Sequence, residues 1–316
     1  MEFRTQFKIE PGEPKIDYNS SIFLVGSCFV DNIGEKLEKG KFKNLRNPFG
    51  IFFHPAAIEN FLSRVVKKVV YTEEEVFFQN ERWHCFEAHS VLSNPNKEEL
   101  VEDLNGKLEL TGNFLKRATH IIITLGTSYG YKLKETNTYV ANCHKVPQAR
   151  FDKELMPVEE LRTRLQNILN LLKNVNPQLK VIFTVSPIRH LRDGVVENQV
   201  SKAHLLSAVS ELVKTNPEKC KYFPSYELMM DDLRDYRFYK EDMIHPTQVA
   251  IDYIWNKFKE TWISKDALLT LEEINSINQA LNHKPFNPNS EAHLKFLSKL
   301  NERIKKLKKA HPELDF

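Results

Sequence analysis

The sequence predicts an α/β protein built on a mainly parallel sheet covered on both faces. Two observations carry that prediction. Ile22-Phe23-Leu24-Val25, Thr119-His120-Ile121-Ile122-Ile123-Thr124-Leu125 and Lys180-Val181-Ile182-Phe183-Thr184-Val185 are nearly continuous apolar runs, the pattern of strands buried on both sides. Between them lie segments whose apolar residues recur every three to four positions, so strand and helix succeed one another.

Taken in order, residues 1 to 20 are polar with Pro11, Gly12 and Pro14, and suit an irregular lead-in. The first run must stop at Gly26, which tolerates a left-handed turn, and the segment from Ser27 to about Lys39 reads as a helix with Cys28, Val30 or Ile33, and Leu37 on one face. Asn44 to Pro55 reads as two Pro-bounded turns around Phe49, Ile51, Phe52 and Phe53, a loop that exposes enough apolar surface to line something. Ala56 to Val70 reads as a helix, Val76 to Val91 as a hairpin, Asn96 to Leu104 as a helix, and Tyr129 to Asn142 as a second hairpin. Val158, Leu161, Leu165, Ile168, Leu169 and Leu172 mark a strong amphipathic helix, another runs from about Val196 to Lys214, and Tyr222-Phe223 is the last candidate strand. Pro246 suits the first position of a helix carrying Val249, Ile251, Ile254, Trp255 and Phe258, with His245 on the turn before it. Two further helical stretches follow from about Ser264, and the basic end, Arg303 to Lys309, reads as a solvated helix face.

Composition excludes several classes of function. With 316 residues, 41% hydrophobic and 28% charged, the chain is globular. Its net charge of +3 comes from 45 basic and 42 acidic residues, too even to imply a nucleic-acid or polyphosphate partner. No apolar run reaches the length of a membrane span, and the N-terminus has no continuous apolar h-region. The expectation is a cytoplasmic protein, or one whose export signal lies outside this sequence. Cys28, Cys85, Cys143 and Cys220 are scattered without a CxxC pair, and no HExxH or acidic cluster occurs, so neither a disulfide framework, a metal nor a cofactor is expected.

The chemistry concentrates at the strand ends. Gly26-Ser27, Gly126-Thr127 and Ser186-Pro187 all fall at the carboxyl ends of strands, where α/β folds bind ligands, and should share one rim. Ser27 sits where a core strand turns into a helix, which suits a nucleophile beside free backbone N–H groups; an ordinary helix N-cap is the plainer alternative. Asp242 and His245, three apart on a turn, can pair so that one imidazole nitrogen stays free to take a hydroxyl proton. Together they supply Ser, Asp and His in the order of a hydrolase triad. Cys28 reads as a core thiol, Cys143 and His144 are adjacent and so seldom face each other, and His89 and His190 are alternative bases.

Gly26-Ser27-Cys28-Phe29-Val30 resembles the signature of the GSCFA family, with Val30 in place of the final alanine. Asn142-Cys143-His144-Lys145-Val146-Pro147, Ser186-Pro187 with Arg189 to Gly194, and Tyr236-Arg237-Phe238-Tyr239 leading to Asp242-Met243-Ile244-His245-Pro246 are similar to further family blocks, so the match spans roughly residues 20 to 260. That family is similar to the SGNH or GDSL-type hydrolases. The resemblance implies a three-layer α/β/α sandwich; with the helical patterns at the end of the chain, the expected division is a sandwich over residues 1–262 and a helical C-terminal extension at 263–316. The resemblance also implies Ser27 as nucleophile, His245 as general base, Asp242 as its orienter, and an O-acyl ester substrate, with a small molecule, glycan or cell-envelope component bearing the acyl group. SGNH enzymes usually draw oxyanion donors from the nucleophile's own N–H, a glycine and an asparagine in a Gly-x-Asn context. Gly50 fits the second role; at the third stands Gly126-Thr127-Ser128, so a Thr127 or Ser128 hydroxyl or Asn142 would substitute, and His144 or Lys145 is a candidate for touching substrate. Losing one donor costs about 2.7 to 4 kcal/mol of transition-state stabilisation. A binding module that kept the fold and lost efficient turnover is therefore the alternative reading.

Overall fold

Ile22, Phe23, Leu24 and Val25 are completely buried inside β1 (Ser21–Gly26) of the computed structural model, which describes residues 5–316. Alternation along the strand sends Phe23 and Val25 into one core and Ile22 and Leu24 into another, which is why the run carries no polar residue. The chain continues through α1 (Phe29–Lys39), β2 (Lys43–Arg46), α2 (Pro55–Lys67), β3 (Val76–Gln79), β4 (Arg82–Cys85), α3 (Lys97–Leu115) and β5 (His120–Leu125). Next come β6 (Tyr129–Leu133), β7 (Thr138–Val140), β8 (Phe151–Leu155), α4 (Val158–Val175), β9 (Lys180–Val185), α5 (Val195–Thr215) and β10 (Cys220–Tyr222). A short α6 (Ser225–Glu227) runs into a π turn, and α7 (Gln248–Trp262), α8 (Lys265–Leu281) and α9 (Glu291–Ala310) complete the fold.

The central sheet is parallel throughout, in the order β10-β9-β5-β1-β2. Phe23 pairs with Leu45 and Ile121, and Ile121 with Val181, so equivalent side chains align across the sheet. On one face Phe23, Ile121, Ile123, Val181 and Phe183 meet Phe61 of α2, Leu165 of α4 and Leu205 of α5. On the other, Ile22, Leu24, Ile122 and Ile182 meet Ile33 of α1, Phe258 of α7 and Leu271 of α8. This is a three-layer α/β/α sandwich. Strand order reverses between β1 and β5, the switch point at which open α/β sheets form their ligand crevice.

Four departures from the sequence reading have physical reasons. The stretch expected to be loop from Asn44 contains most of β2; as an edge strand, β2 is only partly buried and reads Lys-Asn-Leu-Arg without an apolar run. β8 was not expected, because it belongs to a separate antiparallel sheet, β7-β6-β8, in which it is an edge strand exposed at both Asp152 and Lys153, so it carries no apolar run or alternation. Pro246 precedes the helix rather than opening it: Thr247 is the N-cap, its hydroxyl accepting from the Ala250 N–H at 3.4 Å, while Pro246 bridges Tyr239. Helix α3 also outlasts the expected end at Leu104, since Leu108, Phe114 and Leu115 extend its buried stripe.

The C-terminal helices share the second core. Leu271, Ile274 and Ile277 of α8 and Leu300 and Leu307 of α9 join Leu37 and Phe42, and Arg303 donates a two-pronged pair of hydrogen bonds to Glu273 at 2.8 and 2.9 Å. No helix among the described residues is long and apolar enough to cross a membrane.

Gly26 has φ +137°, and a Cβ there would stand 2.1 Å from the Thr124 carbonyl oxygen. Gly26→Ala should therefore destabilise the fold by about 3 kcal/mol or more, read as a lower urea midpoint at unchanged slope. An alanine variant as stable as wild type would contradict this strained corner.

Candidate active site

The corner after β1 is set by hydrogen bonds on both sides of Gly26. Its N–H donates to Asn47 Oδ1 at 3.0 Å, and Asn47 Nδ2 donates to Asp31 Oδ1 at 3.1 Å. The Ser27 N–H then extends the ladder by donating to the Thr124 carbonyl at 2.9 Å. Helix α1 starts only at Phe29, with Cys28 in the cap position and no side-chain cap. Ser27 is thus not an N-cap. Its side chain is completely buried, and its Oγ has no hydrogen-bond partner.

The loop from Asn47 to His54 crosses the neighbouring strand ends. Phe52 N–H donates to the Gly26 carbonyl at 3.0 Å, and the Phe53 carbonyl accepts from both Gly126 and Thr127 N–H at 2.9 Å. The point where a Cβ on Gly126 would sit is 3.2 Å from Ser27 Cβ and 3.2 Å from His190 Nε2, so glycine here leaves room for both side chains. His190 Nε2 is buried without a partner, and its ring stands edge-on to Phe53 at 5.6 Å. Burial, reinforced by Lys202 and His245, pushes the His190 imidazole down to about 3. Lys202 of α5 is itself buried, donating to the carbonyls of Gly126 and Ser186 at 2.7 Å each and tying the ends of β5 and β9 together. Burial lowers it to about 7.

Asp242 and His245 are the other expected site residues, and they pair with each other. His245 Nδ1 and Asp242 Oδ2 are 2.7 Å apart, and Asp242 Oδ1 accepts the Ile244 and His245 N–H groups at 2.8 and 2.9 Å. Those backbone donors, followed by the imidazole, hold the Asp242 carboxyl down at about 2. The turn is anchored where Lys240 N–H donates to the His245 carbonyl at 2.7 Å and Arg189 N–H to the Ile244 carbonyl at 3.4 Å. This second contact places the Asp242–His245 turn against the loop carrying His190. Ser27 Oγ and His245 are not hydrogen-bonded to each other.

The other residues expected at the site are engaged elsewhere. The Gly50 N–H donates to the Asn47 carbonyl at 2.7 Å, and the glycine faces His89. The Thr127 hydroxyl pairs with Ser201 Oγ at 2.9 Å and accepts the Tyr129 N–H at 3.1 Å. Asn142 Oδ1 accepts the His144 N–H at 2.8 Å, while His144 Nε2 is bonded to the Cys85 carbonyl at 2.8 Å within the aromatic cluster of Phe77, His84 and Phe86. None of these residues hydrogen-bonds to Ser27. Burial, helped by Asp31, raises the Cys28 thiol to about 11, which removes it as a thiolate rival. A cleft of about 770 Å³ between α2 and α3, lined by Val65, Lys68, Gly106 and Gly112, contains none of the site residues. Among the described residues, no three His, Cys, Asp or Glu side chains are grouped to hold a metal.

Lys202 was missed in the sequence, and His190 was read only as an alternative base. A signal existed: Asn198, Ser201 and Lys202 are spaced i, i+3, i+4 on the buried face of α5, where Leu205, Ala208 and Val209 continue the stripe. Polar residues on a core stripe mark something polar beneath it.

The doubly covered parallel sheet, with a serine at its first strand-to-helix corner and an Asp–His pair ahead of a sheet-covering helix, is a three-layer α/β/α sandwich. The chain belongs to the GSCFA family: the model described as "GSCFA family" matches residues 21–258, and that described as "GSCFA domain protein, C-terminal domain" matches residues 274–316. Similar solved structures include a Parabacteroides merdae protein described as a GDSL-like lipase (13% identity, TM-score 0.43, 78% of this chain and 98% of that one). Another is a carbohydrate esterase family 3 protein from Talaromyces cellulolyticus (8% identity, TM-score 0.39, 80% and 99%). No curated protein matches the sequence.

Burial pushes His54 and His144 down to about 4. Unfolded imidazoles titrate near 6.5, so between about pH 6.5 and 4 the unfolded chain binds protons that the folded chain refuses, and stability falls as pH falls. Each buried imidazole should steepen that fall by up to about 1.4 kcal/mol per pH unit. Urea midpoints measured from pH 7 to 4.5 should decline less steeply in His54→Gln and His144→Gln than in wild type. Identical slopes would contradict neutral burial of these rings.

Proposed function

We propose that the chain is a serine esterase or acyl transferase that acts on an O-acyl ester through an acyl-enzyme on Ser27. The carrying observation is the Ser27 hydroxyl, which is buried at the strand-to-helix corner, takes no part in capping α1 and has no partner. A buried polar group without a partner is costly, and such exceptions concentrate at functional sites. The Asp242–His245 pair at 2.7 Å supports the reading, because a carboxylate on Nδ1 fixes the tautomer that leaves Nε2 free as a base.

In the proposed reaction Ser27 Oγ attacks the ester carbonyl carbon while its proton passes to His245 Nε2. Asp242 stabilises the imidazolium that forms, and the carbonyl oxygen takes up the negative charge. Collapse of the tetrahedral intermediate breaks the bond to the alcohol, which leaves with the proton from His245. Water, or a second alcohol in a transfer reaction, then attacks the acyl-serine with His245 again taking the proton; the bond to Ser27 Oγ breaks, Oγ takes the proton back from His245, and the acid or new ester leaves. One observation favours the alternative of a binding module with little turnover: the N–H groups of Ser27, Gly50, Gly126 and Thr127 are all committed to carbonyls of the fold.

Release of nitrophenolate from p-nitrophenyl acetate separates the two. Ser27→Ala and His245→Ala should each lose about 10³-fold or more in kcat/KM, and Asp242→Asn, which keeps the shape of the pair but lets His245 adopt the wrong tautomer, should lose about 10²- to 10⁴-fold. Wild-type rates in Ser27→Ala would contradict the proposal.

A further inference from the structure

We infer that His190 is an oxyanion donor of this site, presenting a neutral Nε2–H to the carbonyl oxygen of an ester attacked by Ser27. The inference rests on the esterase reading above.

The first line of argument is an inventory of donors around Ser27. A tetrahedral oxyanion needs preorganised N–H or O–H groups aimed at it. The Ser27 N–H is held by Thr124, the Gly50 N–H by Asn47, and the Gly126 and Thr127 N–H groups by Phe53. The Thr127 hydroxyl faces Ser201. Donors not engaged in this way include the backbone N–H of Cys28 and the imidazole of His190, and of these two His190 is a side-chain donor that is buried with an unpartnered nitrogen.

The second line is position. His190 Nε2 and Ser27 Cβ each lie 3.2 Å from the point a Cβ on Gly126 would occupy, where the Phe53 carbonyl oxygen also comes within 2.9 Å, so the two side chains meet over this glycine, and both Nε2 and Ser27 Oγ are buried and unpartnered. Two orphaned polar atoms that converge on one glycine are what a site waiting for a polar ligand atom looks like. The ring is held there from several sides. Its backbone N–H donates to Asn198 Oδ1 at 2.8 Å, Phe53 packs edge-on against it, and Lys202 fixes the adjoining strand ends through the carbonyls of Gly126 and Ser186.

The third line separates a donor from a base. A general base must carry a positive charge in the transition state, and His245 has Asp242 to stabilise that charge. Among the described residues no carboxylate is bonded to His190, and burial, reinforced by the nearby basic side chains Lys202 and His245, opposes an imidazolium there. A ring kept neutral through the working pH range is poor at accepting a proton and well suited to donating one N–H to a developing oxyanion.

The test compares kcat and KM for p-nitrophenyl acetate in wild type, His190→Ala and His190→Gln, with thermal unfolding recorded for each. Glutamine can place an amide N–H near the Nε2 position but cannot take up a proton. His190→Ala should lower kcat about 10²- to 10³-fold with KM changed by less than about threefold, and His190→Gln should recover about tenfold or more of that loss with the pH–rate profile of wild type. An alanine variant within about threefold of wild type, or a glutamine variant no better than alanine, overturns the assignment. Should His190→Ala fail to fold, His190→Leu, which keeps side-chain bulk without an N–H, takes its place under the same criteria. A wild type that releases no nitrophenolate overturns the esterase reading itself, which is a different result.

Discussion

The structure depends on one backbone event, the continuation of the β1–β5 ladder through Gly26 to the Ser27 N–H···Thr124 hydrogen bond. An L residue at position 26 would collide with that same carbonyl, so only glycine lets the ladder persist while the chain swings toward α1. Because the ladder extends one residue further than the strand's apolar run, Ser27 enters neither the sheet nor the helix. Cys28 takes the cap position, and the serine hydroxyl is left inside the protein with no structural duty. The Asn47 side chain reinforces the corner by bridging the Gly26 N–H and Asp31.

Around that corner the fully buried polar side chains include Ser27 and Lys202, while the Asp31 carboxylate is only partly buried and stands behind Asn47. Lys202 donates to two backbone carbonyls, and burial brings its ammonium down to about 7; His190 stays neutral beside it. Charge of the opposite sign is kept on the exposed turn, where Asp242 is held ionised by backbone N–H groups and by His245. The separation matters chemically. On the proposed reading, an inner corner holding His190 and Lys202 suits an arriving carbonyl oxygen that becomes negative, and a base backed by a carboxylate suits the rim, where the proton must come and go.

Much of the architecture could be read from the sequence, because strands covered on both faces must be apolar throughout. β1, β5 and β9 announce themselves that way. β2 and β8 do not, since an edge strand and a strand in a half-solvated sheet may carry Lys, Asn, Asp or Glu. The Asp242–His245 hydrogen bond was legible from spacing, as a three-residue turn before a helix brings those side chains within reach. The surroundings of Ser27 were not. Which N–H groups are already engaged depends on long-range pairings such as Phe53 with Gly126, and spacing along the chain does not encode them. His190 and Lys202 were obscure for the same reason: both reach Gly126 from residues 64 and 76 positions further along the chain.

The most direct test of Ser27 as nucleophile is the location of a covalent adduct. Wild-type protein treated with a serine-directed fluorophosphonate should gain the mass of one phosphonyl group, mapped by peptide mass spectrometry to Ser27, and Ser27→Ala should gain none. An unmodified wild type, or an adduct on any other residue, would contradict the account.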